Sequence, residues 1–435
     1  MRTAFLFPGQ GSYLPGLLSD LLPDFPDARA TLDDIDRTCA ESGHPAVSRL
    51  LTDPQAPTLD DLVVQRSAEL DLALVAGALT VARILREATS GPDVVVGHSV
   101  GEISALAIAG ALTVTDAVRV VAARTAALRG PTAPAGGMTA VSVGERRAEH
   151  LVGLIDSPSL VLATDNGPDQ CVVSGTEADL AAVRRVAEAA EVRSVRLRAA
   201  APFHNPMLRD AATALARTCA EIPMSAPALP VYSPILGRYV RTTEDVRAVV
   251  DRHLLQPVRF YDALLRLHHD GVRRYVESGG REILAGLVRT GLPAGVQTVA
   301  PLRQRCTSAE FRAQLGATAP EPDPARVAPA AHVRAARPES PAAPENLIGR
   351  LRTVYAEVLG YPAELLDDDV DLEADLGIDS IKQIEAFRTA RQRLGIAEPP
   401  PDLRITSYTT LVELAEVLRD LADGNGHRRT TEVGR

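Results

Sequence analysis

Tryptophan is absent from this 435-residue chain, and Phe and Tyr together supply only 3% of it. Its cores must therefore be built from Ala, Val and Leu. Lysine is nearly absent as well: Lys382 is the only one, and Arg carries the other basic charges. That skew points to GC-rich coding rather than to chemistry. Cysteine is scarce. Cys39, Cys171, Cys219 and Cys306 lie far apart, with no C-x-x-C or Cys/His spacing. The spacing offers neither a disulfide framework nor a metal ligand set, and predicts plain thiols in a reducing compartment. Long hydrophobic runs are also missing. The longest, LALVAGALTVARIL at residues 72–85, contains an Arg and is too short to span a bilayer. The opening MRTAFLFPGQGS is cut by Pro8 and Gly9, so it reads as a strand and turn rather than a signal peptide. No membrane association is expected, and the predicted location is the cytoplasm.

What is present is ordinary for a globular protein, with 46% hydrophobic and 23% charged residues. The length predicts two or three domains. Net charge is −10 and unevenly spread: residues 345–423 hold 17 acidic and 8 basic side chains, a net of −9. An acidic module beside a near-neutral one suggests docking on basic partner surfaces and argues against nucleic-acid binding.

The chain divides at residues 317–344, where 17 of 28 residues are Ala or Pro and no hydrophobic periodicity survives. This is an expected semi-extended linker, reaching about 85 Å at full stretch. Before it, residues 1–316 alternate strand-like and helix-like segments, the mark of an α/β fold with a parallel sheet. One helix is predicted over 60–85, a short buried strand over 94–96 and a helix over 99–112. Within about 132–198 the pattern changes to β-α-β-β-α-β, which predicts a ferredoxin-like insert. Its helices are expected near 146–154 and 177–190. After the linker, residues 345–424 predict a small four-helix bundle, with helices from 347, over 380–394 and over 409–422 and a short turn at 401–405. Residues 425–435 read as a frayed tail.

The stretch VVVGHSVGE at residues 94–102 places Ser99 in a G-x-S-x-G frame, after a strand and before an apolar helix. Gly97 and Gly101 permit a tight turn, and a helix start favours developing negative charge. Ser99 is then either a nucleophile or a helix cap. Of His44, His98, His150, His204, His253, His268 and His269, only His204 has a suggestive setting, in RAAAPFHNPML. On the residues alone it is either a base or a structural histidine. No acidic residue stands out as a third triad member, which separates the chain from a standard α/β-hydrolase.

FPGQGS at residues 7–12, GHSVGE at 97–102, an Arg 25 residues past the serine, and the PFH segment occur in order. Together they resemble the malonyl-CoA:acyl carrier protein transacylase family, including the acyltransferase domains of polyketide synthases. The resemblance covers about residues 1–315. It implies an α/β-hydrolase-like large subdomain and a ferredoxin-like small one. It further implies that Ser99 attacks a thioester, that His204 takes its proton with a backbone carbonyl as orienter, and that the N–H groups of Gln10 and Val100 form the oxyanion hole. Arg124 matches the arginine that clamps the carboxylate of a malonyl-type unit; without the family it is a charge on a helix. Asn166 matches a position at the cleft edge. Val100 after the serine and Ala201-Pro202-Phe203 before the histidine resemble malonyl-type members, with Phe203 crowding an α-branch. Pro202 departs from that pattern, and one methylene of discrimination is worth only ~1–3 kcal/mol. Another small extender unit therefore stands beside malonyl as an alternative.

The acidic module contains DLEADLGIDSIKQIE at residues 371–385. Asp379 and Ser380 open a helix, and the plain reading is an N-cap. The L-G-x-D-S pattern resembles acyl and peptidyl carrier proteins, which implies a 4′-phosphopantetheine arm on Ser380. Asp379-Ser380-Ile381-Lys382 is closer to carriers of polyunsaturated-fatty-acid-like and some iterative synthases than to the D-S-L of many polyketide carriers. The resulting expectation is an acyltransferase–carrier didomain of polyketide or fatty-acid-like biosynthesis. Its expected partners are malonyl-CoA or a related acyl-CoA, a phosphopantetheinyl transferase, and a ketosynthase or other synthase protein in trans. Two other readings stand beside it: an editing hydrolase that strips wrongly acylated carriers, and a carrier scaffold with an inactive acyltransferase half.

Overall fold

In a computed structural model the chain forms two compact units, residues 1–323 and 324–435. The structure describes residues 1–130, 134–316, 344–359, 380–394, 396, 408 and 410–422. The predicted linker and tail, the turn at 401–405 and the start of the insert at 132 lie outside the described residues, apart from Pro344, which opens a helix.

Among the described residues of the first unit eleven strands make two sheets: β1 Arg2–Phe7, β2 Val94–Gly97, β3 Gly137–Val141, β4 Val161–Gly167, β5 Gln170–Gly175, β6 Ser194–Leu197, β7 Val231–Ser233, β8 Arg238–Val240, β9 Val258–Arg259, β10 Val272–Glu277 and β11 Gln297–Val299. The larger sheet has the order β11-β10-β1-β2-β7-β8, parallel except for the β7–β8 pair. Its central strands β1 and β2 run apolar on both faces because helices cover both, as parallel sheets require. The smaller sheet runs β6-β3-β5-β4-β9, and its first four strands are antiparallel neighbours. With helices Glu145–Ile155 and Glu177–Ala189 they give the β-α-β-β-α-β order of the ferredoxin-like fold, with its own apolar core. The fifth strand, β9, comes from outside that segment and pairs parallel with β4, tying the two subdomains together.

Two helices differ from the sequence expectation. The helix expected over 60–85 is two, Leu59–Gln65 and Ser67–Ala88. Arg66 leaves the helical region at φ −140°, ψ 43°, and its guanidinium folds onto Glu69 of the next helix. The helix expected from Ser99 begins at Gly101 and ends at Ile108, because Ser99 is in the left-handed region at φ 54° and Gly110 turns the chain at φ 79°. In the second unit, helices Pro344–Leu359, Ser380–Leu394 and Leu411–Ala422 bury Leu351, Tyr355, Phe387, Ala390, Leu414 and Leu418 in one cluster.

Candidate active site

The site begins where β1 and β2 end side by side, with Phe7 opposite Gly97 in parallel register. Beyond Gly97 the chain reverses sharply: a Cβ on Gly97 would stand 2.3 Å from the Glu102 nitrogen, and one on Gly101 only 1.9 Å from the Phe7 carbonyl oxygen. Only glycine fits either position. The reversal lifts Ser99, at φ 54°, out of the strand end and ahead of helix Gly101–Ile108. Non-glycine residues in that region carry strain of order 1–3 kcal/mol. Glu102 is buried behind the turn. Its carboxyl accepts from the Ser233 hydroxyl at 2.5 Å and the Ile235 N–H at 3.0 Å, and burial pushes it up to about 8.

Ser99 Oγ lies 2.8 Å from His204 Nε2. The other ring nitrogen, Nδ1, donates to the Gln256 carbonyl at 2.9 Å, which leaves Nε2 free to accept the serine proton. His204 also has positive φ, 59°, and the next residue holds it there. The buried Asn205 side chain donates to the Ser159 and Ser174 carbonyls and accepts from the Met207 N–H. Burial, with smaller contributions from His98 and Arg124, lowers the His204 imidazole to about 3, so it is neutral at pH 7.

The β1 loop lies against this elbow. A Cβ on Gly9 would stand 3.7 Å from Ser99 Cβ and 3.6 Å from Val100 Cγ1. Gly9, the residue before Gln10, thus packs directly against the elbow at Ser99 and Val100. His98 donates from Nε2 to Asn166 Oδ1 at 2.8 Å, and Asn166 Nδ2 donates to Gln170 Oε1 at 3.1 Å. This relay carries the elbow across to the β4–β5 hairpin of the small subdomain.

Arg124, on helix Val114–Leu128, is 2% exposed. Its Nη1 donates to Asp71 Oδ2 at 2.5 Å, and its guanidinium stands 4.7 Å from the Phe203 ring centroid. Asp71 Oδ1 also accepts a longer bond from Gln10 Nε2 at 3.4 Å. Between the subdomains a cleft of about 440 Å³ is lined by Gln10, Ser99, Val100, Arg124, Asn166, Phe203 and His204, so the seven residues singled out in the first unit face one space. Ser380 is the first residue of helix Ser380–Leu394 in the second unit.

Three partners escaped sequence reasoning. Gln256 acts through its carbonyl, which no side-chain pattern reveals. Asn205 stands beside His204 and was legible only as a neighbour. Asp71 carries a local signal of its own, a lone acid inside the apolar run LDLALVAGAL.

Residues 4–318 match the family model described as acyl transferase domain. The chain belongs to that family. Residues 349–418 match a second model, phosphopantetheine attachment site, so the carrier unit bears covalent 4′-phosphopantetheine. The acyltransferase unit is 30% identical over 294 residues to the malonyl CoA-acyl carrier protein transacylase of Bacillus subtilis, covering 66% of this chain and 90% of that one. It is 28% identical over 310 residues to the non-reducing polyketide synthase ustP of Ustilaginoidea virens, spanning 69% of this chain but only 14% of that protein. A solved acyl-carrier-protein S-malonyltransferase of Burkholderia pseudomallei superposes with a TM-score of 0.65 at 26% identity, over 73% of this chain and 100% of the other. These likenesses favour neither the editing hydrolase nor the inactive scaffold. Among the described residues all four cysteines are buried thiols, and no helix is long and apolar enough to cross a membrane.

Proposed function

We propose that the acyltransferase unit moves a malonyl-type acyl group from CoA through Ser99 to the thiol borne on Ser380. The observation that carries this reading is the Ser99–His204 contact in a cleft that also holds the buried Arg124. Ser99 Oγ attacks the thioester carbonyl while its proton passes to His204 Nε2, and the Gln256 carbonyl supports the imidazolium. The N–H groups of Gln10 and Val100 receive the developing oxyanion. The C–S bond breaks, the CoA thiolate takes the proton from His204, and the acyl group remains on Ser99 as an ester. Deacylation repeats the sequence in reverse, with an incoming thiol giving its proton to His204. Arg124 meets the free carboxylate of the acyl group, Phe203 limits its α-substituent, and Asn166 holds the cleft edge through His98.

Ser380 suits the attachment role because it opens a helix inside the matched carrier segment. The arm supplies a terminal thiol as acyl acceptor. A tether the length of residues 317–344 gives an effective concentration of about millimolar, favouring loading within the chain. A phosphopantetheinyl transferase installs the arm, and a ketosynthase or other synthase protein consumes the loaded carrier. Acyl-CoA use and the buried thiols fit the cytoplasm. The test is a time course of purified chain with malonyl-CoA, reading protein-bound malonyl against free malonate. Bound malonyl that disappears in Ser99→Ala supports transfer; malonate released with no acylated protein overturns it.

A further inference from the structure

Arg124 is not a bare cation. Its Nη1 is paired with Asp71 Oδ2, and both side chains are at most 4% exposed. A single positive charge in an enclosed pocket would select strongly for a carboxylate; a paired one is close to neutral overall. The pair is also arranged asymmetrically. Arg124 lines the cleft that contains Ser99, whereas Asp71 lines an adjoining cavity of about 570 Å³ together with Ser67, Thr125 and Arg129. Asp71 holds only Nη1, and Arg124 Nε, buried, has no hydrogen-bond partner among the described residues. The guanidinium thus keeps unused donor capacity away from Asp71, and its ring-stacked position over Phe203 keeps it in the cleft wall. Asp71 further binds the Gln10 side chain, so the counter-ion touches both the clamp and the β1 loop.

We infer that Asp71 is a specificity-determining positioning residue: as the buried counter-charge of Arg124 it holds down the pocket's preference for carboxylated acyl groups, so that short uncharged acyl groups are loaded as well as malonyl. This rests on acyl transfer through Ser99 and deepens it by naming the substrate class. Asp71 does not reach the acyl group; it acts by setting the net charge that the acyl group meets. The pocket then takes two classes of thioester, a dicarboxylic half-thioester seated on Arg124 and a small neutral one for which the paired guanidinium is only a polar wall.

The experiment is competitive loading of the full chain with an equimolar mixture of malonyl-CoA and acetyl-CoA, reading the acyl mass on the Ser99 peptide. In the native chain both groups appear, with malonyl favoured by less than about a hundredfold. Asp71→Asn, which keeps size and hydrogen-bonding capacity, raises the malonyl-to-acetyl ratio at least about tenfold, mainly through a lower KM for malonyl-CoA. Asp71→Leu, which removes both charge and hydrogen bond, moves the ratio the same way and serves if the Asn variant does not fold. A ratio unchanged in a loaded, folded variant overturns the assignment of Asp71, as does malonyl loading that falls with kcat alone. Absence of any acyl mass on Ser99 in the native chain overturns the transfer reading itself, which is a distinct result.

Discussion

Replacing Arg124 with Ala removes a buried cation from the cleft wall and leaves Asp71 behind it without that counter-ion. A substrate carboxylate about 4 Å from the guanidinium gains ~4 kcal/mol at an effective dielectric of about 20. Asp71, on the far edge of the fork and roughly 7 Å from that carboxylate, takes back ~2 kcal/mol. The native preference for malonyl over acetyl is then ~2 kcal/mol, about thirtyfold. In Arg124→Ala the attraction vanishes and the repulsion stays, so the preference reverses to ~2 kcal/mol against malonyl, a swing of roughly a thousandfold. Stability should fall as well, by ~3–5 kcal/mol, because a carboxylate is left buried and unpaired. Adding Asp71→Asn to the same chain should restore most of that stability and bring the two acyl groups to near parity. The assays are competitive loading read by mass and urea unfolding of the three chains. A malonyl-to-acetyl ratio in Arg124→Ala within about threefold of the native value would refute the electrostatic reasoning.

The elbow makes two further predictions. Glu102 is pushed up to about 8, so between pH 4.5 and 8 the folded chain keeps a proton that the unfolded chain has lost. Its contribution to stability is full below that window and is lost as pH rises through it. Glu102→Gln, which can still accept from Ile235 and donate to Ser233, should flatten this decline in urea titrations from pH 5 to 8, and an unchanged slope would remove Glu102 as its source. Gly101→Ala forces a Cβ to within 1.9 Å of the Phe7 carbonyl, where strand β1 cannot yield without breaking its sheet. The expected loss is about 3 kcal/mol or more, with Ser99 unreactive toward a fluorophosphonate probe; native stability and labelling would show the packing to be wrong.

Much of this site was legible because its chemistry sits in local patterns. The glycines of GHSVGE announce a turn that only glycine can make, and the distances at Gly97 and Gly101 give the reason. The ferredoxin-like order followed from strand and helix signals spaced along residues 137–198. What stayed hidden depends on contacts across the fold. Gln256 orients His204 through a carbonyl, and β9 is two residues long, so neither leaves a periodic trace. Helix Ser67–Ala88 is apolar over most of its length, and a lone Asp within such a run reads as a surface residue until Arg124 is found beside it, 53 positions on. The break at Arg66 leaves no local signal, because Arg is a good helix former and its departure from helical geometry is a matter of backbone torsion alone.

The most direct test of acyl passage from Ser99 to Ser380 is peptide-level mass analysis of the phosphopantetheinylated full chain after malonyl-CoA is added, with Ser99→Ala and Ser380→Ala alongside. Acyl mass should appear on both serine peptides of the native chain, on Ser99 alone in Ser380→Ala, and on neither in Ser99→Ala. Acyl mass on the Ser380 peptide of Ser99→Ala would contradict the account, since loading would then bypass the elbow around which the cleft is built.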